Sequence, residues 1–292
     1  MELAALGIVA TGTVAMISSY LNRTIASPVL AIFNRWLRWI WASLAIAWLT
    51  DFWGWSGRPF WILAVTAFLL WLILETLYNW LAISALSQSP IPLFPKFIVN
   101  ASGEEWPAVR RIIVVRDWLR KNRFSQVQAL LADIGNGIHL RVSVYQDPEA
   151  KTRVQVLFIP INAAGVTVCF SVSSQTEAGL RYTTDNLFLP FGGYYPENWY
   201  VERRPWTRGI ARLIARHRAR IAADGQTIAP WDADPLSDLN DQQRDLDRLN
   251  TELGFLFPKA MREEHGKMTF EGRYRIWKEV WLLNYLGLPQ RY

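Results

Sequence analysis

The sequence predicts a membrane α-helical anchor of three transmembrane helices, followed by an α+β cytoplasmic domain in which helices cover an antiparallel sheet of three to four strands. Three observations predict this fold class. Apolar stretches of membrane-spanning length occupy the first third of the chain. Residues 1–89 carry four arginines and three acidic side chains, whereas residues 90–292 carry 27 basic and 22 acidic ones. From residue 137 the apolar period changes to two, which is typical of strands.

The predicted anchor, residues 1–86, contains three apolar segments. Leu3–Leu21 is a run of 19 residues without a charge, and as a helix it would span roughly 28 Å. A cleaved signal peptide is the alternative, but it requires a basic stretch before the apolar one, and only Glu2 precedes this run. Val29–Leu49 and Phe60–Ile83 follow. The third segment has 24 residues and one charge, which is more apolar than a typical soluble helix.

The distribution of basic side chains predicts the orientation of the anchor. Three arginines lie at or near the first connection, and one arginine offset by an aspartate lies in the second: Arg23, Arg35 and Arg38, against Arg58 with Asp51. Basic residues are also frequent after the third segment. Because Lys and Arg are enriched on the cytoplasmic side, we expect an integral protein of the bacterial inner (plasma) membrane. Its N-terminus would lie outside and residues 90–292 in the cytoplasm.

Three charged residues fall inside the predicted spans. Arg35, Arg38 and Glu75 lie 12 to 15 residues from the outer ends of their segments, roughly 20 Å below the outer boundary. An unpaired charge at such depth costs about 3 kcal/mol or more. We therefore predict that Glu75 pairs with Arg35 or Arg38. The alternative is that both arginines reach the cytoplasmic headgroups while Glu75 is protonated or close to the same interface.

Residues 87–106 are predicted to be a linker, because Ser87–Pro95 contains three prolines and no helical period. The α+β domain, residues 107–230, then begins with a helix from Pro107. A second helix is predicted from Ser125, which forms a capping box with Gln128, to about Gly135.

Alternation of apolar and polar residues predicts the sheet. Three consecutive strands follow Gly137, at residues 138–145, 153–158 and 166–173, and Leu180–Phe191 is predicted to form a fourth, interrupted at Asp185 and Asn186. We expect an antiparallel meander with one apolar face under helices. One of these is an arginine-rich helix at Trp206–Ala223, whose apolar stripe includes His217.

Residues 231–292 are predicted to be a C-terminal helical extension packed on the α+β domain. Its first helix, near Pro235–Leu253, is acidic, and its last runs from about Phe270 to Leu286. The helix ends at Gly287, a residue type common after helix C-termini.

The sequence contains no catalytic or cofactor-binding motif of a known class. A phosphate-binding glycine loop, a zinc-binding HExxH, paired cysteines and a serine nucleophile elbow are all missing. The three histidines are scattered without a metal-ligand spacing. We therefore predict that the protein is not an enzyme and has no catalytic residues, cofactor or metal site. A reactive pair of Cys169 and His139 is the weaker alternative.

The polar face of the predicted sheet offers a candidate ligand site. His139, Arg141, Tyr145 and Arg153 would lie together there with Gln155 and Cys169, and the two arginines could hold an anion such as a nucleotide. A solvated sheet face is the simpler interpretation.

Basic side chains on two helices predict a surface for the membrane or a partner. The residues concerned are Arg110, Arg111, Arg120, Lys121, Arg208, Arg212, Arg216 and Arg220. The last four recur every four residues and could pair with the acidic helix that follows, contact anionic lipid, or bind nucleic acid, which is the least favoured partner.

These features together predict an integral membrane protein that tethers a cytoplasmic, non-catalytic binding or regulatory domain. Its ligand would be a small anionic molecule or a protein partner, and it could form a homo-oligomer. The helix at Pro107–Lys121 would link binding to the packing of the spans. Two alternatives stay open: a membrane-permeabilising effector triggered through its domain, and a scaffold subunit of a larger membrane complex.

Overall fold

The computed structural model of the protein describes residues 2–25, 27–101, 106–107, 110–135, 137–162 and 165–289. The chain divides into two compact units. Met1–Ala85 with Ile276–Leu288 form the helical unit, and Leu86–Arg275 with Pro289–Tyr292 form the sheet unit. The first division lies at the predicted end of the anchor, whereas the predicted C-terminal extension is divided between the two units.

Three long helices begin the chain: α1 (Glu2–Ile25), α2 (Pro28–Phe52) and α3 (Phe60–Gln88). Helices α1 and α2 pack closely at Gly12, where an added Cβ atom would lie 2.7 Å from Nε1 of Trp41. The connection between them is held by a hydrogen bond of 2.7 Å from the Ser27 amide to Oδ1 of Asn22. Proline suits the first position of α2 because its missing amide donor is not needed there.

Two helices in the described part of the chain are long and apolar enough to cross a membrane. Judged by length and composition alone, they are Ala5–Arg23 in α1 and Phe60–Gln88 in α3, and both are largely exposed. Helix α2 carries Arg35 and Arg38 and does not meet the same criterion. The structure therefore offers two candidate spans where the sequence predicts three.

The sheet unit contains a mixed sheet, in which the described residues form eight strands rather than the predicted three or four. They are β1 (Phe97–Val99), β2 (Ser125–Asp133), β3 (His139–Gln146), β4 (Arg153–Asn162), β5 (Gly165–Thr176), β6 (Arg181–Asp185), β7 (Trp199–Arg203) and β8 (Ile228–Ala229). Strands β1 to β7 lie in chain order, and β8 pairs with β5. Neighbours are antiparallel except β6 and β7, which are parallel.

Strand β2 corrects the prediction of a second helix. Its glutamines, alanines and leucines favour a helix, and Ser125 with Gln128 fits a capping box. In the structure β2 pairs with β1 on one side and β3 on the other. Leu130 and Ala132 alternate into the core, fully buried, with the period of a strand. Pairing on both edges outweighs the local helical preference.

The connection from β6 to β7 is a crossover. A parallel pair requires the chain to return to the same end of the sheet, and residues 186–198 do so without a helix. The glycine- and aromatic-rich segment Phe191–Tyr195 lies within this crossover. Strand β7 follows it, and the sequence of β7 does not have the clear alternation of apolar and polar residues that would predict a strand.

Helices cover both faces of the sheet. The helices of this unit and its continuation are α4 (Arg110–Lys121), α5 (Ile210–Ala223), α6 (Pro235–Glu252), α7 (Arg262–His265) and α8 (Phe270–Trp281), with a 3-10 turn at Lys259–Met261 and a π-helical turn at Leu282–Leu286. Ile112 of α4 and Leu213 of α5 pack with Val154 and Phe170 on one face. Leu239 of α6 packs with Val142 on the other. Helices therefore pack on both faces of the sheet, where the sequence predicts one apolar face under helices.

His217 lies in the core between α5 and the sheet. Its side chain is completely buried, with Nδ1 3.0 Å from the Thr184 hydroxyl and Nε2 3.1 Å from the Ser174 hydroxyl. Burial, reinforced by the positive charges of Arg220 and Arg218, lowers the pKa of His217 to about 3. The folded protein therefore holds this imidazole neutral.

We expect His217 to make the protein less stable in mild acid. The ordinary pKa is 6.5, so below that pH the unfolded chain binds a proton that the folded chain excludes. The free energy of unfolding should then fall by up to about 1.4 kcal/mol per pH unit between 6.5 and about 3. Denaturant unfolding of the full-length protein in detergent, measured by circular dichroism at several pH values, would show this slope.

The matched control uses the exposed His265. His217→Gln should flatten the slope below the ordinary histidine pKa, while His265→Gln should leave it unchanged. An unaltered slope in His217→Gln would contradict the assignment.

Candidate functional site

The structure separates the residues of the predicted ligand site. Tyr145 pairs with Val154, and Gln146 pairs with Arg153, so Tyr145 and Arg153 lie on opposite faces of the sheet. Tyr145 is buried in the core under α4 and α5, and Arg153 is buried on the other face. His139 is exposed at the start of β3 and Arg141 is half-buried. Alternation within each strand does not give the pairing register between strands, and for this reason the sequence predicts that all four share one face.

The Cys169 and His139 pair is separated in the same way. Cys169 pairs with Leu157 and lies on the face of Arg153, whereas His139 lies on the face of Tyr145. Burial raises the pKa of the Cys169 thiol to about 12. Among the described residues, no group of three or more His, Cys, Asp and Glu side chains is arranged to hold a metal ion.

Arg153 belongs to a closed cluster beneath α6. Its Nη1 donates to Oδ2 of Asp238 at 2.9 Å, and its Nη2 donates to the carbonyl of Ala233 at 2.8 Å. Arg181 donates to the same carboxylate. The Trp231 ring lies 4.5 Å from the Arg153 guanidinium and 4.9 Å from that of Arg181. These donors are used inside the protein, so the cluster holds α6 on the sheet.

In the ion pairs described for helix α5, Arg216 and Arg220 contact Glu202 of strand β7 and Arg218 contacts Asp147 after β3, where one interpretation of the sequence was pairing with the acidic helix. Glu202 accepts from Arg216 at 2.8 Å and from Arg204 at 2.7 Å, and Arg220 lies 3.7 Å from it. Burial alone would raise the pKa of Glu202, but the hydrogen bonds from Arg216 and Arg204 lower it to about 2. The described acids of α6 pair instead with other residues, such as Asp247 with Arg262.

The remaining predicted surface residues lie on two helices. Arg208, just before α5, and Arg212 within it are exposed, as are Arg120 and Lys121 at the end of α4. The side chains of Arg110 and Arg111 lie outside the described part of the protein, so the prediction for them stands as made.

A groove of about 1020 Å³ lies elsewhere in the sheet unit, and we call it the basic groove. Its walls are residues 92–96, the outer side of α6 from Asn240 to Glu252, and residues 256–267. Six basic and three acidic side chains line it: Lys96, Arg244, Arg248, Lys259, Arg262 and Lys267, with Asp245, Asp247 and Glu252. Because basic residues outnumber acidic ones two to one, the groove is electropositive.

Lys267 and Arg262 build the walls of the basic groove. The Lys267 ammonium donates to the carbonyls of Ser89 and Ile91, the latter at 2.7 Å. Arg262 donates to the Phe257 carbonyl at 2.7 Å and forms an ion pair of 2.9 Å with Asp247. These contacts hold residues 89–91, which follow α3, and residues 257–267, which follow α6, in fixed positions around the groove.

Other cations of the groove present their charge to solvent. The side chains of Arg244, Arg248 and Lys259 are 77%, 72% and 81% exposed, and Lys96 is also exposed. Their ion pairs with neighbouring aspartates are surface pairs, which contribute little. An incoming anion could therefore compete for these groups.

The segment Phe191–Tyr195 connects the groove to helix α8. The ring of Phe94, a groove residue, packs edge-to-face on Phe191 with centroids 6.1 Å apart. Gly192 and Tyr194 then accept from Arg275 of α8, at 2.8 Å to the Gly192 carbonyl and 2.9 Å to the Tyr194 hydroxyl. Asn250 of α6 holds the Tyr194 backbone with two hydrogen bonds of 2.7 and 3.0 Å.

In the helical unit, the C-terminal turn provides hydrogen-bond partners for Arg35 of α2 and Glu75 of α3. The Tyr285 hydroxyl donates to Oε1 of Glu75 and accepts from Asn79 at 3.1 Å. The guanidinium of Arg35 lies 4.5 Å from the centre of the Tyr285 ring and donates to the carbonyl of Asn284. Tyr285 thus lies between Arg35 and Glu75, where the sequence predicts direct pairing.

The end of the helix explains how the backbone takes part. The last carbonyl groups of a helix have no donor within the helix and are available to other donors. The Asn284 carbonyl accepts from Arg35, and the Tyr285 carbonyl accepts from Nε1 of Trp36 at 2.9 Å. Trp39, nearly fully buried, packs against Tyr285 with ring centroids 5.5 Å apart. Arg38 is exposed.

Comparison of the chain with protein-family models, curated proteins and solved structures finds no match.

We expect Asp238→Asn to destabilise the sheet unit strongly. The substitution leaves the buried Arg153, and Arg181 beside it, without their carboxylate, and removing the partner of a buried charge typically costs about 3–5 kcal/mol. Asp241→Asn, on the same helix, removes only an exposed partner of Arg244 and should cost about 1 kcal/mol or less. Denaturant unfolding of the full chain would compare the two. Equal losses would show that the buried cluster does not hold α6.

Tyr285→Phe should destabilise the helical unit. The substitution removes one hydroxyl that both Glu75 and Asn79 use, and an unsatisfied buried polar group costs about 1–3 kcal/mol. Tyr20→Phe in α1 is the control, because Tyr20 is 70% exposed, and it should change stability by about 0.5 kcal/mol or less. Thermal unfolding in detergent would test the difference. If both variants melt like the unaltered protein, Tyr285 does not stabilise the charged residues.

Proposed function

We propose that the protein is an integral membrane protein whose N-terminal helices tether a cytoplasmic, non-catalytic binding domain, and that the basic groove is its ligand site. The observation that carries the proposal is the basic groove itself. It is a cavity of about 1020 Å³ in the unit that begins with the last turn of α3, Leu86–Gln88. Cavities of about this volume commonly hold small ligands.

The anchor in this proposal comprises α1, α2 and α3. Length and composition support spanning by α1 and α3. Spanning by α2 is supported by the contacts that Arg35 makes, because a charge is tolerated inside a membrane protein when it faces polar partners rather than lipid. The basic bias of the first connection and of residues 90–292 supports an outer N-terminus and a cytoplasmic sheet unit.

Helix α8 would carry the effect of binding to the anchor. Its first half, up to Arg275, belongs to the sheet unit, and from Ile276 onward the same helix belongs to the helical unit. A ligand in the groove would contact Phe94, which packs on Phe191. Phe191 precedes Gly192 and Tyr194 in the chain, and these two residues accept hydrogen bonds from Arg275. Binding would thereby favour one arrangement of α8 and its π-helical turn over another.

This route replaces the helix at Pro107–Lys121 as the mechanical link. Ile112 and Leu119 of α4 are buried in the core of the sheet unit, where they stabilise the domain. The permeabilising and scaffold functions stay as predictions without a structural observation in their favour among the described residues.

Cysteine labelling in intact cells tests the tether. The only natural cysteine, Cys169, is 2% exposed and its pKa is raised to about 12, so a maleimide should not modify it. Gly57→Cys, between α2 and α3, should react with a membrane-impermeant maleimide in intact cells. Ala178→Cys, in the exposed turn after β5, should react only after the membrane is permeabilised.

The two variants serve as each other's control, because each adds one exposed thiol to the same background. Labelling of Ala178→Cys in intact cells would place the sheet unit outside and exclude the proposed topology. Release of the protein from membranes by alkaline carbonate would exclude the anchor altogether.

A further inference from the structure

We infer that the basic groove binds a phosphate-bearing anion, with Lys96, Arg248 and Lys259 as the contacting cations. This inference rests on the proposed function, because it names the ligand class of the proposed site. It differs from the sequence prediction, which placed anion binding on the sheet face and lipid contact on α4 and α5.

Charge and hydrogen-bonding capacity favour phosphate. A phosphate group offers several acceptor oxygens and carries more charge than one carboxylate, so it can engage several separated cations at once. The groove supplies such cations from three different segments: Lys96 before β1, Arg248 in α6 and Lys259 in the 3-10 turn. One of its acids, Asp247, is engaged by Arg262, a cation that is not one of the three proposed contacts.

The frame of the groove is preorganised for such a ligand. Lys267 is committed to the carbonyls of Ser89 and Ile91, and burial lowers its pKa. Arg262 is committed to Asp247 and the Phe257 carbonyl. These two cations position the walls, so the exposed cations bind the ligand without rebuilding the site.

An apolar wall lies beside the cations. Leu93, Phe94 and Leu256 line the same groove, so a ligand that carries an apolar part next to its phosphate would contact both surfaces. An anionic phospholipid has this composition. The groove segment Pro92–Lys96 follows the end of α3 at Gln88 by only a few residues in the chain, and this proximity in sequence favours a lipid in the proposed topology. A soluble phosphate ester is the other source of the same chemistry.

The experiment uses the full chain purified in an uncharged sugar detergent. Native mass spectrometry would measure retention of phosphatidylglycerol, of phosphatidylcholine and of inorganic phosphate, each added separately. The groove variant is Lys96→Gln, Arg248→Gln and Lys259→Gln together. The control variant, Arg123→Gln, Lys151→Gln and Arg218→Gln, removes the same charge from solvent-accessible side chains outside the groove and outside the predicted lipid-contact residues.

We expect the groove variant to bind phosphatidylglycerol at least about tenfold more weakly than the unaltered chain, and the control variant to bind it within about twofold. Retention of phosphatidylglycerol but not inorganic phosphate identifies lipid as the source. Retention of inorganic phosphate that is lost in the groove variant identifies a soluble ester.

Two results would overturn the inference. Equal weakening in both variants would show general attraction between a basic surface and an anion, and failure of the unaltered chain to retain any anionic probe would show that the groove is not a phosphate site. Neither result depends on topology, so the inference can fail while the cysteine labelling succeeds. If the labelling fails and anion binding is lost only in the groove variant, the site is real and the tether is not.

Discussion

The contact of Arg153 and Arg181 with Asp238 determines where helix α6 lies, and much of the sheet unit depends on that helix. The Arg153 guanidinium and the Asp238 carboxylate are buried together, and the Arg181 side chain beside them is 13% exposed, so loss of the carboxylate would leave Arg153 as an uncompensated buried charge. With α6 held on the sheet, its outer side becomes a wall of the basic groove. Asn250 of the same helix forms two hydrogen bonds with the backbone of Tyr194 in the connection from β6 to β7.

A second polar contact plays the corresponding part in the helical unit. An unpaired charge in an apolar helix carries a large free-energy cost. The C-terminal turn gives Arg35 the Asn284 carbonyl as an acceptor, and it gives Glu75 the Tyr285 hydroxyl as a donor. Because the helix ends just after these residues, the carbonyl groups of Asn284 and Tyr285 are available to Arg35 and Trp36. Helix α8 begins in the sheet unit, and its last residues belong to the helical unit together with this polar contact.

Much of the fold could be predicted from local pattern, and the failures have identifiable causes. Strands β3 to β5 and helices α5 and α6 follow from clear periodicity. Strand β2 could not, because its composition favours a helix and only its pairing with β1 and β3 makes it a strand. Strand β7 does not have a clear alternation of apolar and polar residues, and it is recognised as a strand only by its parallel pairing with β6. The basic groove was missed because its cations come from three segments far apart in sequence, although an excess of basic residues after α3 was visible.

The sequence by itself determined the apolar helices, the uneven charge, the alternating strands and the absence of known catalytic motifs, since each of these depends only on residue type and spacing. The tertiary structure alone decided which charges meet. Register placed Tyr145 and Arg153 on opposite faces, and chain return brought Tyr285 to Glu75 from 210 positions away. A local pattern records the period of a strand or helix, but it contains no information about which distant group will satisfy a buried charge.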